Sequence, residues 1–446
     1  MSLASLNFYR KLELLVVGDS TTEYQKIEVD RLVEGLPDAE KVVFENSDHF
    51  PHVLYPDKFN TLVLDFMAGV GAEAESQSTQ LDVDFVTQID ALVEETMARI
   101  DLPGVALAVV KDGEVVYTKG FGTTSLAGGA PVTEQTIFQW CETSMALTTM
   151  AVLQLAEEGK LDLDAPIVDY VPYFRLADER YTEITTGQIL AQVAGIPDSG
   201  AAMADWENFM PQYDAAALDR WVRNDLAEKG LLFAPGEGWE YSDLAYSLLG
   251  AVVEAASGQP YEAYMTEHFL APLGMDKSTF LLEAVDKTLL ASPHVPDATG
   301  AIAVTKAQPY HRPFAAANNL FANVADMAKL AQFSLNRGEL NGVRLLPESA
   351  FDRMWTATTP TPFADFAFGR IHPSMLMLEW GNGWFLGDIA GHPAPNTGGG
   401  EHGYLAQMFL VPDANVGVVA VGNRLATDEY YAADIAADIL GMLLEK

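Results

Sequence analysis

Residues Phe138–Asp164 read FQWCETSMALTTMAVLQLAEEGKLDLD. From Ala146 to Leu155 nearly every position is Ala, Leu, Met, Val or Thr, and Gln154 is the one strongly polar side chain. A helix apolar on every side has no face to offer water, so this one belongs inside a large domain. Thr143 and Ser144 supply an N-cap, and Gly159, directly after Glu157 and Glu158, supplies the stop. The sequence therefore builds its core around one buried helix whose N-terminus opens near Glu142.

Upstream, Phe85 to Ile100 reads as an amphipathic helix, and Pro103-Gly104 introduces the apolar run Val105 to Val110. Lys111-Asp112-Gly113 separates that run from Glu114 to Lys119, which predicts a β-hairpin. Downstream, Leu161 to roughly Phe321 is mostly helical in pattern, with long loops bearing Pro and Gly. Asn382-Gly383-Trp384, Leu405 to Val411 and Val416 to Val421 read as closing strands, and a last helix runs from about Glu429 to Leu444.

This layout resembles the serine β-lactamase and penicillin-binding superfamily, in particular its class C β-lactamase, esterase and D-aminopeptidase branch. The family stretch reads roughly F-x-x-G-S-x-S-K-x-x-T-A-x-A-V-L-Q-L-x-E-E-G-K-L-x-L-D, and the match from Ala151 to Asp164 is close. The resemblance covers about Leu81 to Lys446. It implies an α/β (α+β) fold: an antiparallel sheet flanked by helices, with an inserted, mostly helical subdomain at about 161–321. Aligned without gaps from Phe138, the family's nucleophilic Ser falls on Glu142 and its Lys on Met145; no Ser in the chain has Lys three residues on. Acyl-enzyme chemistry needs both the hydroxyl and a group that removes its proton.

The other family motifs have changed as well. Ile184 to Asp198 reads ITTGQILAQVAGIPD, so the family's His is Gln192 and its Ser is Ala194. Pro235-Gly236 through Tyr246 keeps the family tyrosine as Tyr241, with Asp243 in place of Asn. Asn318-Asn319-Leu320 stands where the family has Gly-Gly-Leu, and Asn396-Thr397-Gly398 matches the third motif without its cation. An amide there hydrogen-bonds a carbonyl or carboxylate but brings no positive charge. His402, beside the turn Gly399 to Tyr404, is the imidazole placed near the cleft.

Candidate catalytic groups are thus Tyr241, Glu142 and His402, with Trp140, Met145, Gln192, Asp243, Asn319, Asn396, Thr397 and Gly398 lining a ligand cleft. Each has a plainer reading: a pocket tyrosine without its client, a carboxylate stabilised at a helix N-terminus, a structural histidine. Partial burial of Glu142 would raise its pKa and make it a possible general base. Glu142, Asp243 and Glu401 make the cleft acidic, so it is expected to favour neutral or cationic ligands over carboxylates. Cys141, one residue off the nucleophile position, is read as inert packing. No cofactor is implied, and eight scattered His without metal-ligand spacing argue against a metal.

At 446 residues the chain is long enough for two or three domains, and 49% hydrophobic content supports large cores. With 63 acidic against 26 basic residues, the net charge of −37 disfavours nucleic acid and anionic membrane. One cysteine forms no intramolecular disulfide; with no recognisable leader and no span-length apolar run, the chain as given reads as cytoplasmic.

Residues 1–68 differ in character from the rest. Leu12 to Val17 and Lys41 to Phe44 read as strands, with helical segments to about Gly35 and from Asp57 to Met67. This resembles the last β-α-β-α portion of an α/β-hydrolase. On that match His49 sits at the catalytic histidine and Thr21 at the acid, with Asp19 and Glu23 nearby. No Gly-x-Ser-x-Gly elbow accompanies it, so His49 is read as structural. Gly69 to Gln80 is small and polar, a linker.

Three functions are compatible with the residues: a non-acylating binder of a small molecule or peptide, a hydrolase of altered chemistry, or an assembly module. The exposed apolar strands of the N-terminal fragment favour a homodimer formed through it.

Overall fold

The computed structural model describes residues 14–18, 40–44, 81–198, 212–305, 307–358, 375–425 and 430–445. The chain divides into two compact units, Met1–Thr79 and Gln80–Lys446. In the first, strands β1 (Leu14–Gly18) and β2 (Glu40–Phe44) pair in parallel, with Leu14 opposite Glu40 and Gly18 opposite Phe44. The helical segments expected there, with Asp19, Thr21, Glu23 and His49, lie outside the described residues.

The second unit opens with helix α1 (Val83–Arg99), capped by the Asp82 carboxylate on Phe85 N at 2.7 Å. The hairpin follows as β3 (Gly104–Lys111) and β4 (Glu114–Gly122). Asp112 and Gly113 both take positive φ (53° and 83°), the requirement of a tight turn whose twist matches the strands. Short strands β5 (Ile137–Gln139) and β6 (Phe321–Asn323) pair antiparallel and lead into α2 (Thr143–Glu157). Helix α3 (Asp243–Ser257) anchors the mostly helical insertion, and α4 (Val324–Leu335) returns the chain to the sheet. The C-terminal part supplies β7 (Met375–Trp380), β8 (Phe385–Ile389), β9 (His392–Glu401), β10 (Tyr404–Val411), β11 (Val416–Gly422) and α5 (Tyr431–Leu444).

Seven of these strands form one antiparallel sheet in the order β7-β8-β9-β10-β11-β3-β4. Every residue of β10 and β11 is buried. Because successive side chains point to opposite faces, the sheet is covered on both, which is why these strands read as unbroken apolar runs. Helices α4 and α5 both pack on β11.

Helix α2 is as buried as its composition predicts, packed between α3, the segment Ala315–Asn318 and strand β9. Two of its polar side chains are hydrogen-bonded to neighbouring segments. Thr148 Oγ1 meets Ala316 O and Tyr261 OH at 2.7 Å each, and Gln154 Oε1 accepts from Tyr264 OH at 2.7 Å. The stop works as expected. Gly159 has φ 69°, its N–H donates to Ala156 O, and Lys160 N donates to Leu155 O, closing a Schellman motif.

Two expectations need correction. Thr143 and Ser144 do not cap α2: the N-cap is Glu142, itself in helical conformation (φ −68°, ψ −3°), so both hydroxyls lie inside the first turn. Ser144 Oγ instead donates to Cys141 O at 2.8 Å. Asn382-Gly383-Trp384 is not a strand but the turn joining β7 to β8, with Gly383 at φ 76°. The turn is buried, and Gly383 lies against Thr149 and the Met145 carbonyl of α2.

Candidate active site

Three segments converge at the N-terminus of α2. The first is the α2 entry itself. Cys141, a non-glycine residue at φ 48°, turns the chain left-handed so that Glu142 begins the helix. Its thiol is buried, points at Gln139 O (3.7 Å) and is held well above its ordinary pKa by that burial. It is packing. Ser144 is wholly buried; besides donating to Cys141 O it accepts from Leu320 N at 3.0 Å, so its hydroxyl is tied on both sides.

Glu142 is only partly exposed and its Oε2 is buried with no hydrogen-bond partner. The carboxyl lies on the backbone of β9. A methyl group added to Gly399 would fall 1.7 Å from Oε2. Burial, then the carboxylates of Asp243 and Glu401, raises the Glu142 pKa well above the usual range.

The second segment is the start of α3. Ser242 caps this helix, its Oγ accepting from Ala245 N and donating to Pro197 O, both at 3.0 Å. That cap fixes its neighbours. Tyr241 points its hydroxyl at Met145 Sδ, 3.6 Å away, where the resemblance puts a lysine. Its ring stacks on Phe385 (centroids 6.3 Å apart) and meets Trp380 edge-on (5.8 Å). Burial and the charges of Asp243 and Glu142 hold the phenol well above its ordinary pKa, so it stays protonated and donates. Asp243 N donates to Asp198 Oδ1 (2.9 Å), and Ser242 N to Gln192 Oε1 (3.1 Å). Gln192 sits at φ 61°, with its Nε2 buried and unpartnered.

The third is the β9–β10 hairpin. Asn396 is fully buried and ties three strands together: Nδ2 donates to Ala394 O and Phe385 O, and Oδ1 accepts from Gln407 Nε2 at 3.1 Å. Its amide is therefore spent on the sheet. Thr397 and Gly398 are buried behind it, while Gly399 and Gly400 are partly open. Glu401 accepts from Asn318 Nδ2 (3.1 Å) and from the backbone N–H of His402 (3.1 Å). His402 lies at the hairpin tip, partly exposed.

The structure thus gathers Glu142, Met145, Tyr241 and Asp243 in one place, with Glu401 beside them. Of the expected lining residues, Asn396, Thr397 and Gly398 are buried in the sheet, and two more are held elsewhere. Trp140 is wholly buried, with Nε1 donating to Ala322 O at 3.1 Å, so it supports the site from beneath. Asn319 donates to His311 O (2.7 Å) and accepts from Gln139; its neighbour Asn318 reaches the acidic cluster instead. Phe385 and Trp380, which wall Tyr241, went unread because they flank a turn read as a strand. Among the described residues no group of three or more His, Cys, Asp or Glu is arranged to hold a metal ion.

A family model described as Beta-lactamase matches residues 89–442. The chain belongs to the β-lactamase family. Protein flp of Staphylococcus aureus (strain MW2) is 32% identical over 205 residues, 45% of this chain and 39% of flp. Esterase EstB of Burkholderia gladioli is 33% identical over 202 residues, 44% of this chain and 51% of EstB. The chain therefore spans two-fifths to a half of the length of these relatives. Among solved structures, the octameric penicillin-binding protein homologue from Pyrococcus abyssi superposes with a TM-score of 0.67 at 27% identity, over 81% of this chain and 78% of that one. D-amino acid amidase from Ochrobactrum anthropi SV3, complexed with L-phenylalanine amide, has a TM-score of 0.67 at 20% identity, over 81% and 99% of the two chains. That likeness establishes the fold. No helix among the described residues is long and apolar enough to cross a membrane.

Proposed function

We propose that this chain is a non-acylating member of the β-lactamase family that binds a small molecule or peptide in the retained cleft. One observation carries the reading: where the family resemblance puts the nucleophile and its proton acceptor, Glu142 and Met145 stand, and Tyr241 donates to the Met145 thioether. A thioether takes up no proton at ordinary pH, and a carboxyl held above its usual pKa is a poor nucleophile. The adjacent hydroxyl, Ser144, is buried and tied to Cys141 O and Leu320 N. The cytoplasm is proposed as its setting, in keeping with a single buried cysteine and no disulfide. Incubation with benzylpenicillin and with a fluorophosphonate, followed by intact-mass spectrometry, tests the reading. The expected spectrum is that of the unmodified chain, and a stoichiometric adduct mapped to Ser144 or another cleft serine ends it.

A second reading, a hydrolase of altered chemistry, is favoured by one feature. Glu142 is partly open to solvent and keeps its proton to higher pH than an ordinary carboxyl, as a general acid would. Turnover of an ester or amide panel abolished by Glu142→Gln would establish it.

A further inference from the structure

Two acceptor atoms at this site are buried without donors. One is Glu142 Oε2. The other is Asn318 Oδ1, on a side chain that is 1% exposed. The orientation of the Asn318 amide is fixed by its chemistry: Nδ2 donates to Glu401 Oε2, and reversing the amide would set oxygen against a carboxylate. The unmatched oxygen therefore lies beside Glu401. The charged groups acting most strongly on Glu142 are Asp243 and Glu401, then Asp198, and all are anionic. A buried acceptor left without a donor keeps its full desolvation penalty, and the penalty grows where charge is involved. The missing chemistry is a cation carrying several N–H donors. Beside these acceptors, Tyr241 and Phe385 are partly exposed, stacked 6.3 Å apart at 11°. Their rings offer a surface for an apolar group and a negative π-face for a cation.

We propose that the cleft recognises a ligand bearing a protonated primary amine, whose N–H groups serve Glu142 Oε2 and the Asn318–Glu401 pair while its apolar part lies against Tyr241 and Phe385. The proposal rests on the non-acylating reading of the cleft and narrows its ligand class. An ammonium supplies three donors and one positive charge, the complement of the two unmatched acceptors Glu142 Oε2 and Asn318 Oδ1. A carboxylate ligand would add to the existing repulsion, and a neutral alcohol would leave the charge uncompensated.

Benzylamine, benzyl alcohol and benzoate share a ring and differ in the head group, so calorimetric titration of the full-length chain with all three at neutral pH isolates the ammonium. Benzylamine is expected to bind about tenfold or more tighter than benzyl alcohol, with no heat from benzoate. Glu142→Gln keeps the shape and removes the charge, and is expected to lose about tenfold in benzylamine affinity; Asn318→Ala is expected to lose less. Glu114→Gln, an exposed carboxylate on β4, measures the general acidic field and is expected to change nothing. Equal affinity for amine and alcohol, absence of benzylamine binding at millimolar concentration, or a loss in Glu114→Gln equal to that in Glu142→Gln overturns the inference. Intact mass after benzylpenicillin, taken on the same protein, separates the two failures. An adduct removes the non-acylating reading itself, while an unmodified chain with no amine preference removes only the amine.

Discussion

A methyl group on Gly399 would sit 1.7 Å from Glu142 Oε2 and 2.6 Å from the carboxyl carbon, so glycine on β9 and glutamate on α2 are one fitted pair. Gly399→Ala is expected to cost about 1–3 kcal/mol by urea unfolding, the range for forcing a methyl into a packed site. Shortening the partner with Glu142→Ala should relieve most of that loss. A double-mutant cycle with no coupling would contradict the contact. The same carboxyl sets a pH dependence. Its folded-state pKa lies above that of the unfolded chain, so the folded protein holds the proton longer. The stability this contributes is full below the unfolded carboxyl pKa and is lost as pH rises through the folded one. Glu142→Gln carries no such proton. Its melting temperature, compared with that of the parent chain, should gain steadily from acid toward neutral and alkaline pH. A constant difference across pH would show that Glu142 titrates normally.

Among the elements, the legible and the illegible differ for physical reasons. Helix α2 could be read because burial on all sides forces an unbroken apolar run, and β10 and β11 for the same reason. Strand β9, HPAPNTGGGE, carries neither alternation nor β-branched runs, and only its motif placed it on a strand. Its register explains the composition. Residues His392–Pro395 pair only with β8, so Pro393 and Pro395 occur where one side needs no donor; Thr397–Glu401 pair only with β10, where the glycines let α2 approach. At the changeover, Asn396 pairs with both neighbours and staples them with its side chain. Asn396→Ala leaves the nearly buried Gln407 amide without its acceptor, and should lower stability by about 1–3 kcal/mol in guanidinium unfolding. Asn396→Ala with Gln407→Leu should recover part of it. The cleft residues followed the same divide: Glu142 and Met145 could be placed by counting along α2, whereas Asn318 ends the short helical segment Ala315–Asn318 and Phe385 opens β8 directly after a turn, both too short to show periodicity.

For the whole molecule, the open question is what covers the N-terminal strands. Strands β1 and β2 form a two-stranded parallel sheet, each with one edge unpaired among the described residues. Both are rich in branched apolar residues: LLVVG and EKVVF. Parallel sheets are found with both faces covered, and a lone two-stranded pair is marginal in water. An exposed apolar edge also invites pairing with another chain. We propose that the cover is the same fragment of a second subunit, related by a two-fold axis, because the small polar segment Gly69–Gln80 gives no sign of fixing an intramolecular dock. The charge of −37 per chain opposes such an association. The dimer should therefore tighten as salt rises toward physiological strength and screens that repulsion over about 8–10 Å. Light scattering decides between the arrangements. The full chain is expected at twice the monomer mass at micromolar concentration, more completely so in higher salt, and a chain beginning at Leu81 at the monomer mass. A full-length monomer under those conditions, or a truncated chain that still dimerises, would place the cover elsewhere.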